Sequence, residues 1–407
     1  MHIWLVNPFD PLPGDPEQEG RYATLARMLV ARGHAVTWWT SSFSHRFKKP
    51  VDQVALKETC DSLGINLVFL ESPSYSKNIS IKRLWNHMVL AKQFNKIAAM
   101  HNKPDIILAS APPPFLAQAA VKTAKKLNVK SIVDIQDLWP ETFYRLGPKV
   151  VKLLLATGFY PWHRASAYAY RNADAIVGVA DQYVNRAIQL GANPVAKTTV
   201  PLGIDLQQFN ESAKAGICEQ YTKPYDEIWF AYTGSLNVSY DCLTLAKAFL
   251  EVESKLPCKA KLFITGRGQL ADELKNIINE YQSDSVIQTG FLDFPQWAYL
   301  LSQCDIGFNA SFPQAMIYLP NKIFYYFAAG LAVLNTIPGQ CSQIVENAHC
   351  GLDYQAGNVQ SCADAIMKIL NDDIMLAAMK TSSASQASDV FDRNVLYENY
   401  LEIITSD

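Results

Sequence analysis

Residues 103–142 read KPDIILASAPPPFLAQAAVKTAKKLNVKSIVDIQDLWPET. Two short apolar runs, at 105–111 and 130–137, flank a stretch whose apolar residues follow helical spacing. A buried strand, a helix and a second buried strand form the repeating unit of parallel sheets. The stretch therefore predicts an α/β protein in which ligands bind at the carboxyl ends of the strands.

The same alternation continues on both sides of this stretch. Further strands are predicted in both halves, at 2–8, 34–42, 66–72, 175–180, 227–236, 260–268 and 285–291. The turn-rich segment VPLGIDLQQF at 200–209 separates the two series. We therefore predict a Rossmann-like N-terminal domain at 1–205, a Rossmann-like C-terminal domain at 206–388, and a terminal helical element at 389–407.

The composition indicates a globular protein. The chain has 407 residues, of which 49% are hydrophobic and 18% are charged, which is too apolar for a disordered chain and too polar for a polytopic membrane protein. No apolar run approaches the roughly 18 residues that span a bilayer. The N-terminal MHIWLVNPFD lacks the pattern of a signal peptide. We expect a cytoplasmic location.

The charge is distributed unevenly between the predicted domains. Residues 1–205 contain 24 Lys and Arg against 15 Asp and Glu, a net charge of +9, whereas the remainder contains 12 against 23, a net charge of −11. A basic domain suggests an anionic partner, either nucleic acid or a membrane surface. Two unrelated solvated surfaces remain the alternative.

The candidate phosphate-binding loops lie in the second half. The strands at 2–8 and 105–111 are not followed by the GxGxxG of dinucleotide sites, so no nicotinamide cofactor is expected. In contrast, YTGSL at 232–236 and TGRGQL at 265–270 place glycine at strand ends. Lys322 then stands at the start of a helix in PNKIFYYFAAG. Together these segments predict a diphosphate site.

Four motifs carry a resemblance to a known family: DIQDLWPET at 134–142, YAYRNADAIVGVA at 168–180, YTGSLNVSYD at 232–241 and LPNKIFYYFAAG at 319–330. With them, the chain resembles the retaining glycosyltransferases of family 4, in particular the aminosugar transferases of bacterial O-antigen and capsule assembly. The resemblance implies the GT-B fold, in which two doubly wound Rossmann-like domains face a central cleft and the last helix crosses back to the first domain.

The resemblance also implies the chemistry. A nucleotide-sugar donor, with UDP-sugar favoured, would bind the C-terminal domain, an acceptor would bind the N-terminal domain, and transfer would retain configuration without a metal or another cofactor. Relatives carry an E-x7-E pair, which is replaced here by Ile317 and Tyr325. Arg267 is the candidate substitute for a basic residue that is missing after Gly234. The predicted donor-binding residues are Gly234, Ser235, Arg267, Asn321, Lys322 and Tyr325.

The candidate catalytic residues lie in the first half. Asp137, at a strand's carboxyl end, is favoured to order or deprotonate the acceptor hydroxyl, with His45 and Glu141 in reserve. Each could instead brace a loop. The predicted acceptor-side residues are Gly20, Arg21 and Trp139, whose indole could hold a sugar ring or pack in the core.

Two stretches, 80–103 and 146–171, mix Lys and Arg with large apolar residues, as interfacial helices on anionic lipid do. Buried helices with solvated basic faces are the alternative, and nucleic acid is disfavoured because no recognition module accompanies the charge.

These patterns lead to a sugar transferase that works at the inner face of the cytoplasmic membrane, on a lipid-linked glycan of surface-polysaccharide synthesis. Two alternatives remain open: a nucleotide-sugar epimerase of the same fold, and a degenerate transferase that serves as a non-catalytic partner subunit.

Overall fold

The computed structural model describes residues 1–14, 20–77, 80–144, 157–193 and 196–406. This part of the chain forms two compact units, Met1–Pro201 together with Tyr397–Asp407, and Leu202–Leu396. The first unit thus ends shortly before the boundary predicted after Asp205. The predicted terminal element is divided, because only its part from Tyr397 onward clusters with the first unit.

Seven parallel strands form the sheet of the first unit. In chain order they are β1 (His2–Val6), β2 (Ala35–Ser41), β3 (Ile65–Leu70), β4 (Ile106–Ala111), β5 (Lys130–Ile135), β6 (Ala175–Gly178) and β7 (Ala196–Thr199). They lie in the order β3-β2-β1-β4-β5-β6-β7, which is the doubly wound order with one added edge strand. Every residue of β4 is buried, as the apolar run predicts.

Helices connect these strands. They are α1 (Arg21–Ala31), α2 (Gln53–Ser62), α3 (Ile81–Ala98), α4 (Pro114–Leu127), α5 (Glu141–Tyr144), α6 (Tyr160–Asn172) and α7 (Asp181–Gln189). Leu116 and Ala120 of α4 pack with Trp4 and Phe94 in one core cluster. Residues 146–156 of the predicted interfacial stretch at 146–171 lie outside the described residues. Residues 160–171 of the stretch belong to α6.

The second unit repeats this order with six parallel strands. They are β8 (Glu227–Thr233), β9 (Lys259–Thr265), β10 (Val286–Gly290), β11 (Ile306–Asn309), β12 (Ala332–Asn335) and β13 (Gly351–Asp353). Their order is β10-β9-β8-β11-β12-β13. Both halves are therefore Rossmann-like α/β structures, which confirms the predicted fold class.

Helices also connect the strands of the second sheet, and a further helix ends the chain. They are α8 (Leu206–Ala215), α9 (Cys242–Val252), α10 (Ala271–Tyr281), α11 (Phe294–Gln303), α12 (Lys322–Ala328), α13 (Gln340–Asn347), α14 (Val359–Leu370), α15 (Asp373–Ser385) and α16 (Arg393–Thr405). The last helix begins at Arg393 and not at 389, because Gln386–Val390 form a π-helical turn that extends α15.

A short antiparallel pair, Phe43–Ser44 with Lys49–Pro50, closes a turn after β2. In the described ranges, every helix is too short or too polar to cross a membrane. The same ranges contain no group of three or more His, Cys, Asp or Glu residues placed to hold a metal ion.

Candidate active site

Two loops meet at the carboxyl edge of the second sheet, where β8 and β9 end. The N–H of Gly234 donates to the carbonyl of Thr265 at 3.0 Å, and the N–H of Leu236 donates to the carbonyl of Arg267 at 2.9 Å. A Cβ atom at Gly266 would lie only 1.8 Å from the Gly234 carbonyl oxygen. Glycine at 266 is therefore required for this contact between the two loop backbones.

Lys322, the first residue of α12, places its ammonium group beside these loops. Nζ lies 3.3 Å from the position that a Cβ atom would take at Gly234. The ring centroids of Tyr232 and Tyr240 lie 4.2 and 4.5 Å from Nζ. The residue is 9% exposed, and Nζ has no hydrogen-bond partner in the described chain.

The pKa of Lys322 is unusually low for a lysine. Burial lowers its pKa to about 7, which the nearby Cys242 only partly opposes. Aromatic faces stabilise a buried ammonium by about 2 kcal/mol or more, whereas an unpaired buried charge costs several kcal/mol. At pH 7 about half of the Lys322 side chains therefore carry a proton, and the protonated form has no hydrogen-bonded anion among the described residues.

Three further predicted donor-binding residues are exposed at the same edge. Ser235 follows Gly234, Arg267 lies between the two glycines of the second loop, and Asn321 immediately precedes α12. The Arg267 guanidinium lies 5.3 Å from the Phe291 ring centroid. An exposed guanidinium is suited to bind the oxygens of a diphosphate.

Tyr325 has a different environment from the one predicted. Its ring lies 4.7 Å from Trp297 of α11, 6.2 Å from Phe294 of the same helix and 6.3 Å from Phe209 of α8. The phenol ring is thus part of the packing between helices. A ribose contact by Tyr325 stays a prediction that this packing does not favour.

Asp137 is held within its own loop in the first unit. One carboxylate oxygen accepts from the Leu138 N–H at 2.8 Å and from the Thr142 hydroxyl at 3.3 Å, and the other accepts from Trp139 Nε1 at 2.9 Å. Burial raises the pKa of Asp137, although these hydrogen bonds and the charge of Arg83 oppose the increase. A raised pKa suits a general base, but the contacts also suit a loop brace.

Glu141 is occupied by an ion pair. Its Oε1 atom accepts from Nε and Nη2 of Arg186 at 2.8 and 2.5 Å, and the carboxylate is buried. His163 Nδ1 lies 3.8 Å from the same oxygen. This environment favours a structural role for the predicted reserve catalyst.

His45 is half-buried on the turn after β2. Burial lowers its pKa to about 3, and the charges of Arg83 and Lys48 contribute. The imidazole is therefore neutral at physiological pH and is a poor base. It can donate one hydrogen bond and accept another, but it is not suited to deprotonate an acceptor hydroxyl.

Arg21 is completely enclosed, although it was predicted on the acceptor side. Its Nη2 atom donates to Asp134 at 3.1 Å, Nη1 donates to the carbonyl of Val200 at 2.8 Å, and the guanidinium lies 4.5 Å from the Tyr400 ring centroid. These contacts tie β5, the end of the first unit and α16 together. An acceptor contact by Arg21 stays a prediction, and its burial does not favour it.

The other two acceptor-side candidates are also constrained. Gly20 precedes α1, and a Cβ atom there would lie 2.9 Å from an Asp10 carboxylate oxygen that accepts from the Tyr22 N–H. The Trp139 ring is buried, with the Arg83 guanidinium 4.3 Å from its centroid. The indole is therefore covered rather than presented as an open sugar platform.

Comparison with known proteins explains this arrangement. The family model described as Glycosyltransferase Family 4 matches residues 19–208, and the model described as Glycosyl transferases group 1 matches residues 227–372. Crystal structures share the fold: HepE of Anabaena in complex with UDP, at 16% identity and a TM-score of 0.68, covers 100% of both chains. The chain belongs to the GT-B glycosyltransferases.

Two further proteins are similar to this glycosyltransferase. Sucrose-phosphate synthase from Thermosynechococcus elongatus has a TM-score of 0.71 at 16% identity, over 99% of this chain and 98% of that one. The chitobiosyldiphosphodolichol beta-mannosyltransferase of Candida albicans is 21% identical over 137 residues, which span 33% of this chain and 30% of that protein. The structural likenesses concern the fold.

In this glycosyltransferase the structure brings most predicted donor residues to one sheet edge, with Tyr325 as the exception. The sequence interpretation did not single out Arg83 and His87, because it considered 80–103 only as a candidate membrane face or as a buried helix with a solvated basic face. A helical signal was present: residues 83, 87, 90 and 94 share one helix face, and the last two are the buried Leu90 and Phe94.

Proposed function

We propose that this glycosyltransferase moves a sugar from a UDP-sugar to a lipid-linked glycan with retention of configuration, in bacterial surface-polysaccharide synthesis at the inner face of the cytoplasmic membrane. The observation that carries the donor half of this proposal is the buried ammonium of Lys322, which has no hydrogen-bond partner in the described chain.

We call the carboxyl edge of the second sheet that carries Gly234, Arg267 and Lys322 the donor edge. A nucleotide diphosphate matches the chemistry of this edge. Its oxygens would give Lys322 a negative partner that the described residues do not supply. The absence of a side chain at Gly234 leaves room beside the Lys322 ammonium. The positive charge of the exposed Arg267 guanidinium would offset the negative charge of the leaving diphosphate. In the proposed transfer, cationic side chains thus stabilise the leaving group. The fold shared with HepE, which was solved with UDP, supports the choice of nucleotide.

A lipid-linked acceptor is supported by the outer face of α3. Ile81, Trp85 and Met88 are 86%, 58% and 44% exposed. Lys82 and Lys92 are exposed on the same helix. An exposed indole between lysines is typical of helices that lie on anionic lipid. The name of the Candida relative, which specifies a diphosphodolichol, supports the same class of acceptor.

One experiment separates the open alternatives. The purified full chain is given UDP-sugars, with and without membranes that contain lipid-linked glycans, and free UDP is measured. A transferase releases UDP only when the acceptor is present, whereas an epimerase acts on the donor alone.

A non-catalytic partner subunit would release no UDP under any condition. That alternative is motivated by Ile317 and Tyr325, which leave the family's carboxylate pair absent. Thermal shifts with UDP-, GDP- and dTDP-sugars identify the donor first, since a ligand that binds only the folded state raises the midpoint.

A further inference from the structure

A second group of basic side chains lies in the first unit, after the carboxyl ends of β2 and β3. We call His45, Lys48, Arg83 and His87 the basic cluster. The first two lie on the turn closed by the short antiparallel pair, and the other two lie one turn apart on the inner face of α3. The proposed donor site does not include them.

The outer part of the basic cluster is joined by direct contacts. His45 Nδ1 lies 2.5 Å from the Tyr75 hydroxyl and 3.2 Å from Lys48 Nζ. Lys48 Nζ also lies 4.9 Å from the Tyr75 ring centroid. His45 and Lys48 are half-buried, so a ligand from solvent can reach this part.

The inner part packs on one indole. The Arg83 guanidinium lies 4.3 Å from the Trp139 ring centroid, and the His87 ring lies 5.0 Å from the same indole. The Phe9 ring connects the two parts, with centroids 5.4 Å from both His45 and His87. The four basic side chains therefore form one continuous group.

Burial and the charge of Arg83 disfavour protonation of the other members of the basic cluster. Burial is the main reason that the pKa values of His45, Lys48 and His87 are lowered, and the charge of Arg83 lowers each of them further. Asp137 is the carboxylate that acts on Arg83. Both of its oxygens already accept hydrogen bonds from its own loop.

The carboxylates on neighbouring segments are also engaged. Glu71, after β3, accepts from the Ser42 hydroxyl at 3.0 Å and from the Gln53 amide at 3.1 Å. Asp10, after β1, accepts from the Tyr22 N–H at 2.8 Å. Neither of these two carboxylates contributes to the pKa shifts described above.

His87 provides an independent observation. Its side chain is 0% exposed, and neither Nδ1 nor Nε2 has a hydrogen-bond partner in the described chain. Buried imidazoles normally hydrogen-bond, because an unsatisfied buried polar atom lowers stability. Packing against Phe9 and Trp139 accounts for the ring but not for its nitrogens.

We propose that the basic cluster is a subsite for a phosphoryl group carried by the acceptor. A phosphoryl group has several acceptor oxygens and one or two negative charges, which match two cations and two neutral imidazoles that can each donate one hydrogen bond. A neutral sugar hydroxyl would leave most of these groups unsatisfied. The assignment to the acceptor rests on the proposed function, whereas the anion subsite itself does not.

The test is a calorimetric titration of inorganic pyrophosphate into the full chain saturated with UDP, which fills the proposed donor site. The wild type should bind pyrophosphate at one additional site. Lys48→Gln and Arg83→Gln should each weaken this binding about tenfold or more, because each removes a charged hydrogen bond. Lys57→Gln, at an exposed lysine on α2 outside the basic cluster, should bind as the wild type does.

Two results would overturn the subsite: no pyrophosphate binding beyond the UDP site, or equal affinity in Lys48→Gln and the wild type. If a thermal melt shows that Arg83→Gln is unfolded, the test rests on Lys48→Gln. Lys48 is half-buried on a turn, so we expect Lys48→Gln to fold. If UDP itself does not bind, the donor proposal fails separately. The pyrophosphate titration is then repeated in Lys322→Met, which lacks the donor ammonium.

A final comparison identifies the source of the phosphoryl group. Farnesyl diphosphate binding more tightly than a hexose 1-phosphate supports the subsite and assigns the group to a lipid carrier. The reverse order supports the subsite and assigns the group to a soluble phosphorylated glycan. Binding of either compound that is insensitive to Lys48→Gln counts against the subsite.

Discussion

A buried lysine side chain, Lys322, lies at the carboxyl edge of the second sheet. The ammonium of Lys322 lies under two tyrosine rings without a hydrogen-bond partner in the described chain, and burial brings its pKa to about 7. Such an arrangement opposes folding unless an anion is bound. The predictions for this residue follow from that imbalance.

Lys322→Met should stabilise the free protein. One pKa unit corresponds to about 1.4 kcal/mol, so removal of the ammonium should raise the free energy of unfolding by about 1 kcal/mol or more at pH 7. The difference from the wild type should shrink as the pH rises from 7 towards 10, because the unfolded lysine still binds a proton there and the wild type gains stability. Denaturant unfolding of both proteins at several pH values measures this difference.

The pH dependence of UDP binding tests the same group from the ligand's side. Binding of an anion should raise the pKa of Lys322, so UDP binding should take up protons near pH 7 and weaken as the pH rises from 7 to 9. Titrations in buffers with different ionisation enthalpies measure the uptake. A flat affinity over this range, equal to that of Lys322→Met, would show that the ammonium does not contact the diphosphate.

Two variants of Asp137 separate a catalytic role from a structural one. If it orders the acceptor hydroxyl, Asp137→Asn should lower turnover by about 10²-fold or more while UDP affinity changes little. If it braces its loop, Asp137→Ala should lower the melting temperature, and Asp137→Asn should retain most activity. Steady-state rates and melting curves of the two variants distinguish these roles.

Local sequence patterns could indicate the position of Lys322 but not the surroundings of Arg21 and Glu141. The position of Lys322 could be predicted because a strand-end glycine and the start of a helix are local patterns. The burial of Arg21 and Glu141 could not, since their partners Asp134 and Arg186 are 113 and 45 residues away in the chain. A distant ion pair leaves no mark on local spacing.

The helix α3 shows the same limit for a whole element. Its sequence left two interpretations open, a basic and apolar face on lipid or a buried helix with a solvated basic face, and the structure gives the helix two distinct faces. The outer face carries Ile81, Trp85 and Met88, while Arg83 and His87 are buried on the inner face. Basic character alone does not tell which lysine or arginine faces solvent.

The outer face of α3 should attach the protein to anionic membranes. Trp85→Gln should weaken binding to vesicles that contain anionic lipid, because the indole is the largest exposed apolar group of this face. Raised salt should release the wild type, since screening weakens the contribution of the lysines. Flotation of vesicles with bound protein measures both effects.

Val54→Gln is the matched control, because Val54 is an exposed apolar residue on α2 of the same unit. Equal loss of binding in the control and in Trp85→Gln would argue against a specific face. Equal binding of the wild type to neutral and anionic vesicles would indicate a purely apolar contact.

For the whole molecule, the sequence predicts architecture better than it predicts the environments of side chains. Both Rossmann-like halves follow from apolar runs and glycine turns, since buried parallel strands need continuous apolar residues. The division after Pro201 and the start of α16 at Arg393 differ from the predictions because they depend on packing over long sequence distances. The meeting of the loops at 234–236 and 265–267 was predictable because parallel strands bring their carboxyl ends together. Their role in donor binding stays a prediction.

The central claim is that Lys322 holds the diphosphate of a nucleotide-sugar donor, and calorimetric titration of UDP at pH 7 into wild type, Lys322→Met and Lys275→Met tests it most directly. Lys275 is an exposed lysine on α10 of the same unit and serves as the control. We expect wild type and Lys275→Met to bind alike, and Lys322→Met to bind about tenfold more weakly or worse, as the loss of a charged hydrogen bond requires. Equal UDP affinity in all three proteins would contradict the claim.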